Sequence, residues 1–171
     1  MRLQAFAAFQ LPASLFLLGL VATEPVAALD SDQEQPLFIE ADAVELDEKT
    51  SQSLYIGHVD VQQGSLHIRA DRVEVEHHDN RQPRLIIAIG DPAHYRQMTE
   101  DSSEPLLGRA QRMEYNADRN EITFIDQALL TQGQDRFSSD RIVYNRAMER
   151  VTAGTSAQGR ERVKITITPN E

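Results

Sequence analysis

The chain has 171 residues, no cysteine and a formal net charge of −10. This composition excludes a disulfide framework and thiol chemistry, and so acidic a chain lacks the basic stripe that nucleic-acid binding needs. The length suits one domain of ordinary size.

The first residues carry a weakly positive Arg2, an apolar run from Leu11 to Ala22, and small residues at Val26-Ala27-Ala28. That pattern reads as a cleavable signal peptide over residues 1–28, with an apolar run shorter than the ~20 residues that span a bilayer. Export without cysteine points to a periplasm-like space and a fold that needs no oxidation. Residues 29–35 (LDSDQEQ) are polar and read as a flexible arm, leaving 36–169 as the folded domain.

Pro36 opens Leu37-Phe38-Ile39. Proline at a strand's first position is best tolerated at a sheet edge, so an edge strand is predicted there. After a turn at 47–51 comes Leu54-Tyr55-Ile56-Gly57-His58-Val59-Asp60-Val61, whose apolar residues Leu54, Ile56, Val59 and Val61 change parity at Gly57. The stretch from His67 to Glu76 repeats the fault: Ile68 and Ala70 share one parity, Val73 and Val75 the other. Side chains alternate faces along a strand. Both pairs therefore reach one core only if the ribbon bends or bulges at Asp71-Arg72.

The same offsets recur around Asp42, Gln111 and Asp140. Leu85 to Tyr95 carries its fault at Gly90, and its nearly continuous apolar run suggests a central segment. Thr99 to Pro105 reads as the longest polar loop, and Asp126 stands in Glu121–Thr131 where the glycines stood before. Val151–Gly154 is the weakest copy, and Val163 to Pro169 alternates cleanly as a closing strand. No stretch of the domain shows a sustained 3.6-residue period. The prediction is all-β: eight bent segments in four hairpin-like repeats plus a closing strand, or roughly sixteen short antiparallel strands. Stacked in order they make a folded, V-shaped sheet with the faults on its crease and an open edge at each end. The inner face is apolar; Glu40, Glu45, Arg69, Glu74, Arg109 and Glu114 are expected outside.

Several segments, in this order behind an export signal, carry a resemblance. They are Gln35-Pro36-Leu37-Phe38-Ile39-Glu40-Ala41-Asp42, Gly57-His58-Val59 with Val61-Gln62-Gln63-Gly64, and Ile68-Arg69-Ala70-Asp71-Arg72-Val73. Gly90-Asp91-Pro92-Ala93 with Gln97-Met98, Met113-Glu114-Tyr115, and the tail from Arg162 to Pro169 complete the set. Together they resemble the OstA-like, LptA-type family of periplasmic lipopolysaccharide-transport proteins. The resemblance implies an open-ended β-jellyroll whose interior receives the acyl chains of lipopolysaccharide. It also implies head-to-tail self-association into a bridge, with LptC at the N-terminal edge and the LptD N-terminal domain at the C-terminal edge. By motif match Leu37, Ile39, Tyr95 and Tyr115 line the interior; Val73, Val75, Ile56 and Phe124 join them as inward apolar positions. Leu37, Phe38 and Ile39 at one edge, and Val163, Ile165 and Ile167 at the other, are the expected contact strands.

Physical chemistry makes a lipid role reasonable. A buried methylene contributes about 0.8 kcal/mol, so hiding an acyl chain of about twelve contributes roughly 10 kcal/mol. Long-range charge attraction is absent, because lipid A phosphates and this chain are both anionic. No catalytic residue, metal ligand or cofactor is expected. Asp42, Asp71 and Asp140 read as side chains that satisfy backbone N–H groups at a bend. His77-His78 lacks a third ligand at suitable spacing, and no nucleophile-elbow or nucleotide-binding signature is present. The alternative is a structural or adaptor β-protein that joins envelope partners without binding lipid.

Overall fold

The computed structural model describes residues 32, 34–99 and 102–169. The expected signal peptide over 1–28 lies outside them. β1 (Phe38–Glu40) and β2 (Ala43–Asp47) both pair with β3 (Gln52–Gln63). β4 (Leu66–His77), β5 (Pro83–Thr99), β6 (Ser102–Asn116), β7 (Glu121–Gln132) and β8 (Asp135–Asn145) follow, each antiparallel to the one before. β9 (Arg150–Ala153) and β10 (Lys164–Thr166), separated by a 3-10 turn at Gly154–Ala157, pair with the two halves of β8.

The ladders break between Ile56 and Val59, Arg69 and Arg72, Ile89 and Ala93, Arg109 and Arg112, and Ile125 and Ala128. These breaks line up as one crease, and every long ribbon contributes an arm on each side of it. Wall A holds β1, β10 and the arms of β3–β8 that end in the 63–66, 99–102 and 132–135 hairpins. Wall B holds β2, β9 and the other six arms. Each wall has eight arms, so the roughly sixteen short strands of the expected jellyroll are present. β10 is the second arm of the last ribbon, where a separate ninth layer was expected.

Two local devices turn both arms toward one interior. In β4, β6 and β8 the inward residues step by three across the crease: Ala70 to Val73, Ala110 to Met113, Ser139 to Ile142, all buried. That odd step is the parity switch read from Asp71-Arg72, Gln111-Arg112 and Asp140-Arg141. β3 and β7 do otherwise. They insert a pair of left-handed residues, Gly57 (φ +78°) and His58 (+45°), or Asp126 (+60°) and Gln127 (+54°). Two added residues leave the parity unchanged, so Tyr55 and Val59, four apart, face the same way, as do Phe124 and Ala128. Directly opposed residues share a face, and Ile56 opposes Arg72 while Leu54 opposes Glu74. The expectation that Ile56 lines the interior is therefore wrong: it lies on the outer face and is 39% exposed.

Gly57 suits its bulge because φ is +78°, a backbone conformation glycine adopts without strain, and a Cβ there would push aside the Asp42 carboxylate, 2.2 Å away. The Asp42 N–H donates to the Gly57 carbonyl (3.0 Å), and the His58 ring bonds Asp42 Oδ2 (2.8 Å), tying the crease of one ribbon to the next. That hydrogen bond, then the charge of Asp42 and more weakly of Asp71, raises the His58 pKa above its ordinary value. Asp140 accepts the Arg160 N–H (2.6 Å). This bond and a second from the Glu161 backbone hold its carboxyl below the usual range. Of the three aspartates, Asp140 thus satisfies backbone donors as expected. Arg72 and Arg112 pair with Glu74 (2.8 Å) and Glu114 (2.7 Å) at the surface, where such pairs contribute about 0–1 kcal/mol.

The expected long loop at 99–105 is mostly strand: β5 runs to Thr99, β6 starts at Ser102, and these two residues oppose each other. Cross-strand pairing overrides the polar composition here. Val73→Asp places an unpaired charge inside and is expected to cost at least about 3 kcal/mol, whereas Ile56→Asp on the outer face costs under about 1 kcal/mol. Urea unfolding of the two variants measures the difference.

Candidate functional site

The space between the walls is the candidate site, and its middle is filled. Tyr95 of wall A meets Phe124 of wall B edge-to-face, with ring centroids 5.6 Å apart. Phe124 also lies over Gly108 of wall A, where a Cβ would come within 2.2 Å of the ring. A glycine at 108 therefore lets a large side chain from the opposite wall reach across. Val73, Val75, Tyr95, Tyr115 and Phe124, all expected to line the interior, point inward and are buried. Leu37 and Ile39 are half-buried and pack on this cluster at its N-terminal end.

The two ends are different. On β2, Val44 and Leu46 oppose the inward Tyr55 and Ser53, yet they are 54% and 68% exposed. At the other end Ile165 opposes the inward Phe137 and is 55% exposed, with Ile167 at 69%. A cavity of about 950 Å³ opens beside them between the wall rims, lined on its apolar side by Leu106, Leu130, Phe137, Tyr144, Val151 and Ile167. The apolar interior thus continues into solvent at both edges of the sheet. The expected contact strands are those edges: β1 carries Phe38 and Ile39, next to Leu37. β10 carries Ile165 between Val163 and Ile167.

A polar belt, which no sequence motif signals, crosses this interior. Arg146, in the β8–β9 turn, is 4% exposed. Its Nη1 donates to the Tyr115 hydroxyl at 2.7 Å, and its guanidinium stands 5.4 Å from that ring's centroid. Its Nε has no hydrogen-bond partner among the described residues. On wall A the Tyr95 hydroxyl donates to Gln97 Oε1. Gln97 Nε2 donates to Asp32 Oδ2 at 2.8 Å. Burial pushes the Tyr95 phenol well above its ordinary pKa, with Arg146 opposing the shift. The stretch 29–35 was expected as a flexible arm; its Asp32 is instead buried and bonded. Among the described residues no group of three or more His, Asp or Glu is placed to hold a metal ion. No helix among them is long and apolar enough to cross a membrane.

The family model described as LptA/(LptD N-terminal domain) LPS transport protein matches residues 38–150. The chain belongs to this family. Within it, the chain is 29% identical over 166 residues to the lipopolysaccharide export system protein LptH of Pseudomonas aeruginosa, covering 94% of this chain and 95% of that protein. It is 32% identical over 126 residues to the lipopolysaccharide export system protein LptA of Escherichia coli K12, covering 73% of this chain and 68% of that one. The crystal structure of P. aeruginosa LptH, described as the LptA homologous periplasmic component of the lipopolysaccharide transport device, superposes with a TM-score of 0.74 at 30% identity. The match covers 81% of this chain and 99% of that one. The matched region of the family model spans both walls and the crease, so the interior belongs to the family fold. Tyr95→Phe removes the donor to Gln97 while keeping the ring on Phe124. It is expected to cost about 1–2 kcal/mol, read as a lower urea midpoint with an unchanged denaturant slope.

Proposed function

We propose that this LptA-type chain carries lipopolysaccharide across the periplasm to the outer membrane, holding its acyl chains between the two walls. The observation that carries this reading is the apolar interior that runs uncovered into solvent at both sheet edges. An ordinary closed core ends beneath polar residues; this one ends at Val44 and Leu46 on one side and at Ile165 and Ile167 on the other. Transfer of a dozen methylenes into it is worth roughly 10 kcal/mol, enough to hold an anionic lipid against the −10 charge of the chain. Acyl chains replace cross-wall contacts such as Tyr95 on Phe124 as the walls part about the crease. No chemical step is needed, and the chain acts as a carrier.

The same reading extends to assembly. Eight alternating arms per wall is an even number, so a second copy stacked with the same polarity sets its β1 antiparallel to β10 and its β2 antiparallel to β9. Edge N–H and C=O groups then pair as in β-augmentation, and the heterologous contact propagates as a chain of copies. The interior becomes continuous across the joint. LptC takes the free N-terminal edge of the first copy, and the LptD N-terminal domain takes the free C-terminal edge of the last.

A photo-crosslinking residue tests the carrier function in cells. At Leu37 or Tyr115 it should capture lipopolysaccharide, and at Glu74 on the outer face it should not; equal capture at all three removes the trough. For assembly, Ile165→Asp should weaken self-association about tenfold or more, since a charge at an apolar edge costs over about 1.4 kcal/mol. Sedimentation across a concentration series reads it.

A further inference from the structure

The Asp32 carboxylate is gripped more closely than an arm tether requires. Its Oδ1 accepts the Ser65 backbone N–H at 2.8 Å. Its Oδ2 accepts the Ser65 hydroxyl at 2.6 Å and the Gln97 amide at 2.8 Å. Each donor is aimed by a further bond. The Met98 N–H donates to Ser65 Oγ (3.1 Å), which leaves that hydroxyl's own hydrogen for Asp32. The Tyr95 hydroxyl donates to Gln97 Oε1, which turns the amide N–H toward Asp32. Gly64 (φ +57°) clears the bay, since a Cβ there would stand 2.1 Å from Asp32 Oδ1. Three oriented N–H and O–H donors converging on one carboxylate make an anion-binding bay, and charge-assisted bonds of this kind are the strong ones.

The bay sits on the rim of wall A, beside the interior, and adjoins Tyr95, whose phenol feels the Arg146 charge. Arg146 is nine-tenths buried and has an Nε–H without a partner among the described residues. Its occupant comes from outside the sheet. Asp32 precedes β1, and its neighbours Glu34 and Gln35 are exposed. Asp32 lies in no strand, so its side chain can leave these three bonds without breaking a ladder.

We propose that Ser65 and Gln97 form an anion subsite at the rim of the interior, that Asp32 fills it as an internal stand-in, and that a phosphate on an entering lipid displaces Asp32. This rests on the carrier reading above and adds a headgroup contact to it. The acidic chain, which repels an anionic lipid at long range, thereby offers its phosphate one short-range donor site. When the lipid leaves, Asp32 returns and the rim closes.

The test measures binding of bis-phosphorylated lipid A, and of the same lipid with both phosphates removed, to the full chain. Asp32→Ala vacates the bay and should tighten binding of the phosphorylated lipid about three- to tenfold, leaving the dephosphorylated lipid unchanged. Glu34→Ala removes the same charge from an exposed neighbour and should change neither. Gln97→Leu should bring the phosphorylated lipid down to the affinity of the dephosphorylated one. The ratio of the two affinities is the readout, because general loosening of the fold moves both together. Inorganic phosphate at millimolar concentration should not compete; if it displaces the lipid from the Asp32→Ala chain, the bay is a free-phosphate site and the headgroup assignment falls. Equal shifts for both lipids, or none, overturn the subsite and leave the carrier reading intact. Failure of every chain to bind either lipid overturns the carrier reading, and the subsite with it.

Discussion

The structure depends on one geometric constraint: a ribbon that crosses a crease must show its apolar face to the same interior on both sides. Strict alternation cannot do this through a bend. Alternate ribbons meet the constraint in different ways, β4, β6 and β8 by an odd step between inward residues, β3 and β7 by a left-handed pair. His58, Asp126 and Gln127 hold positive φ without being glycine, at about 1–2 kcal/mol each. The buried residues on both arms offset that cost. Because neighbours carry different numbers of residues across the crease, each ladder must break there. The break fixes where the sheet folds, and it tethers one ribbon to the next through Asp42, Gly57 and His58.

Folding the sheet in this way gives an interior with walls but no ends. The middle is closed by side chains that reach from wall to wall, Phe124 over Gly108 above all. The ends have no further ribbon to cover them, so Leu46 and Ile167 remain exposed. On the proposed carrier function, stability and ligand binding draw on the same surface. The packed middle holds the two walls together, and a ligand that enters must replace those contacts with its own. Apolar contacts suit such exchange because they are non-directional: an acyl chain replaces a ring contact without leaving a donor unpaired.

The polar belt adds direction to that otherwise indifferent interior. Arg146 with Tyr115 on wall B, and Asp32 with Gln97 and Ser65 on wall A, are buried groups whose hydrogen bonds must be met by particular atoms. Such groups favour one arrangement of the rims over others. On the proposed carrier function, they also give the interior positions at which the headgroup side of a lipid is told from its tails.

The local pattern determined the all-β class, the bent ribbons and the crease positions at Asp71, Gly90, Gln111, Asp126 and Asp140, because side-chain alternation is a property of neighbouring residues. It also determined the inward faces of Val73, Val75 and Phe124, while those of Tyr95 and Tyr115 followed from the family resemblance. Only the tertiary structure decided that Ile56 faces out, because a bulge of one residue and a bulge of two leave the same local signature and differ only in register against the neighbouring ribbon. The same holds for Thr99 and for Ser102 to Pro105, polar in composition but zipped into strand by their partners. Asp32 and Arg146 lie far apart in the chain, in segments that read as polar arm and polar turn. What brings them to one interior is the closure of the two walls, a long-range event that no short stretch of sequence encodes.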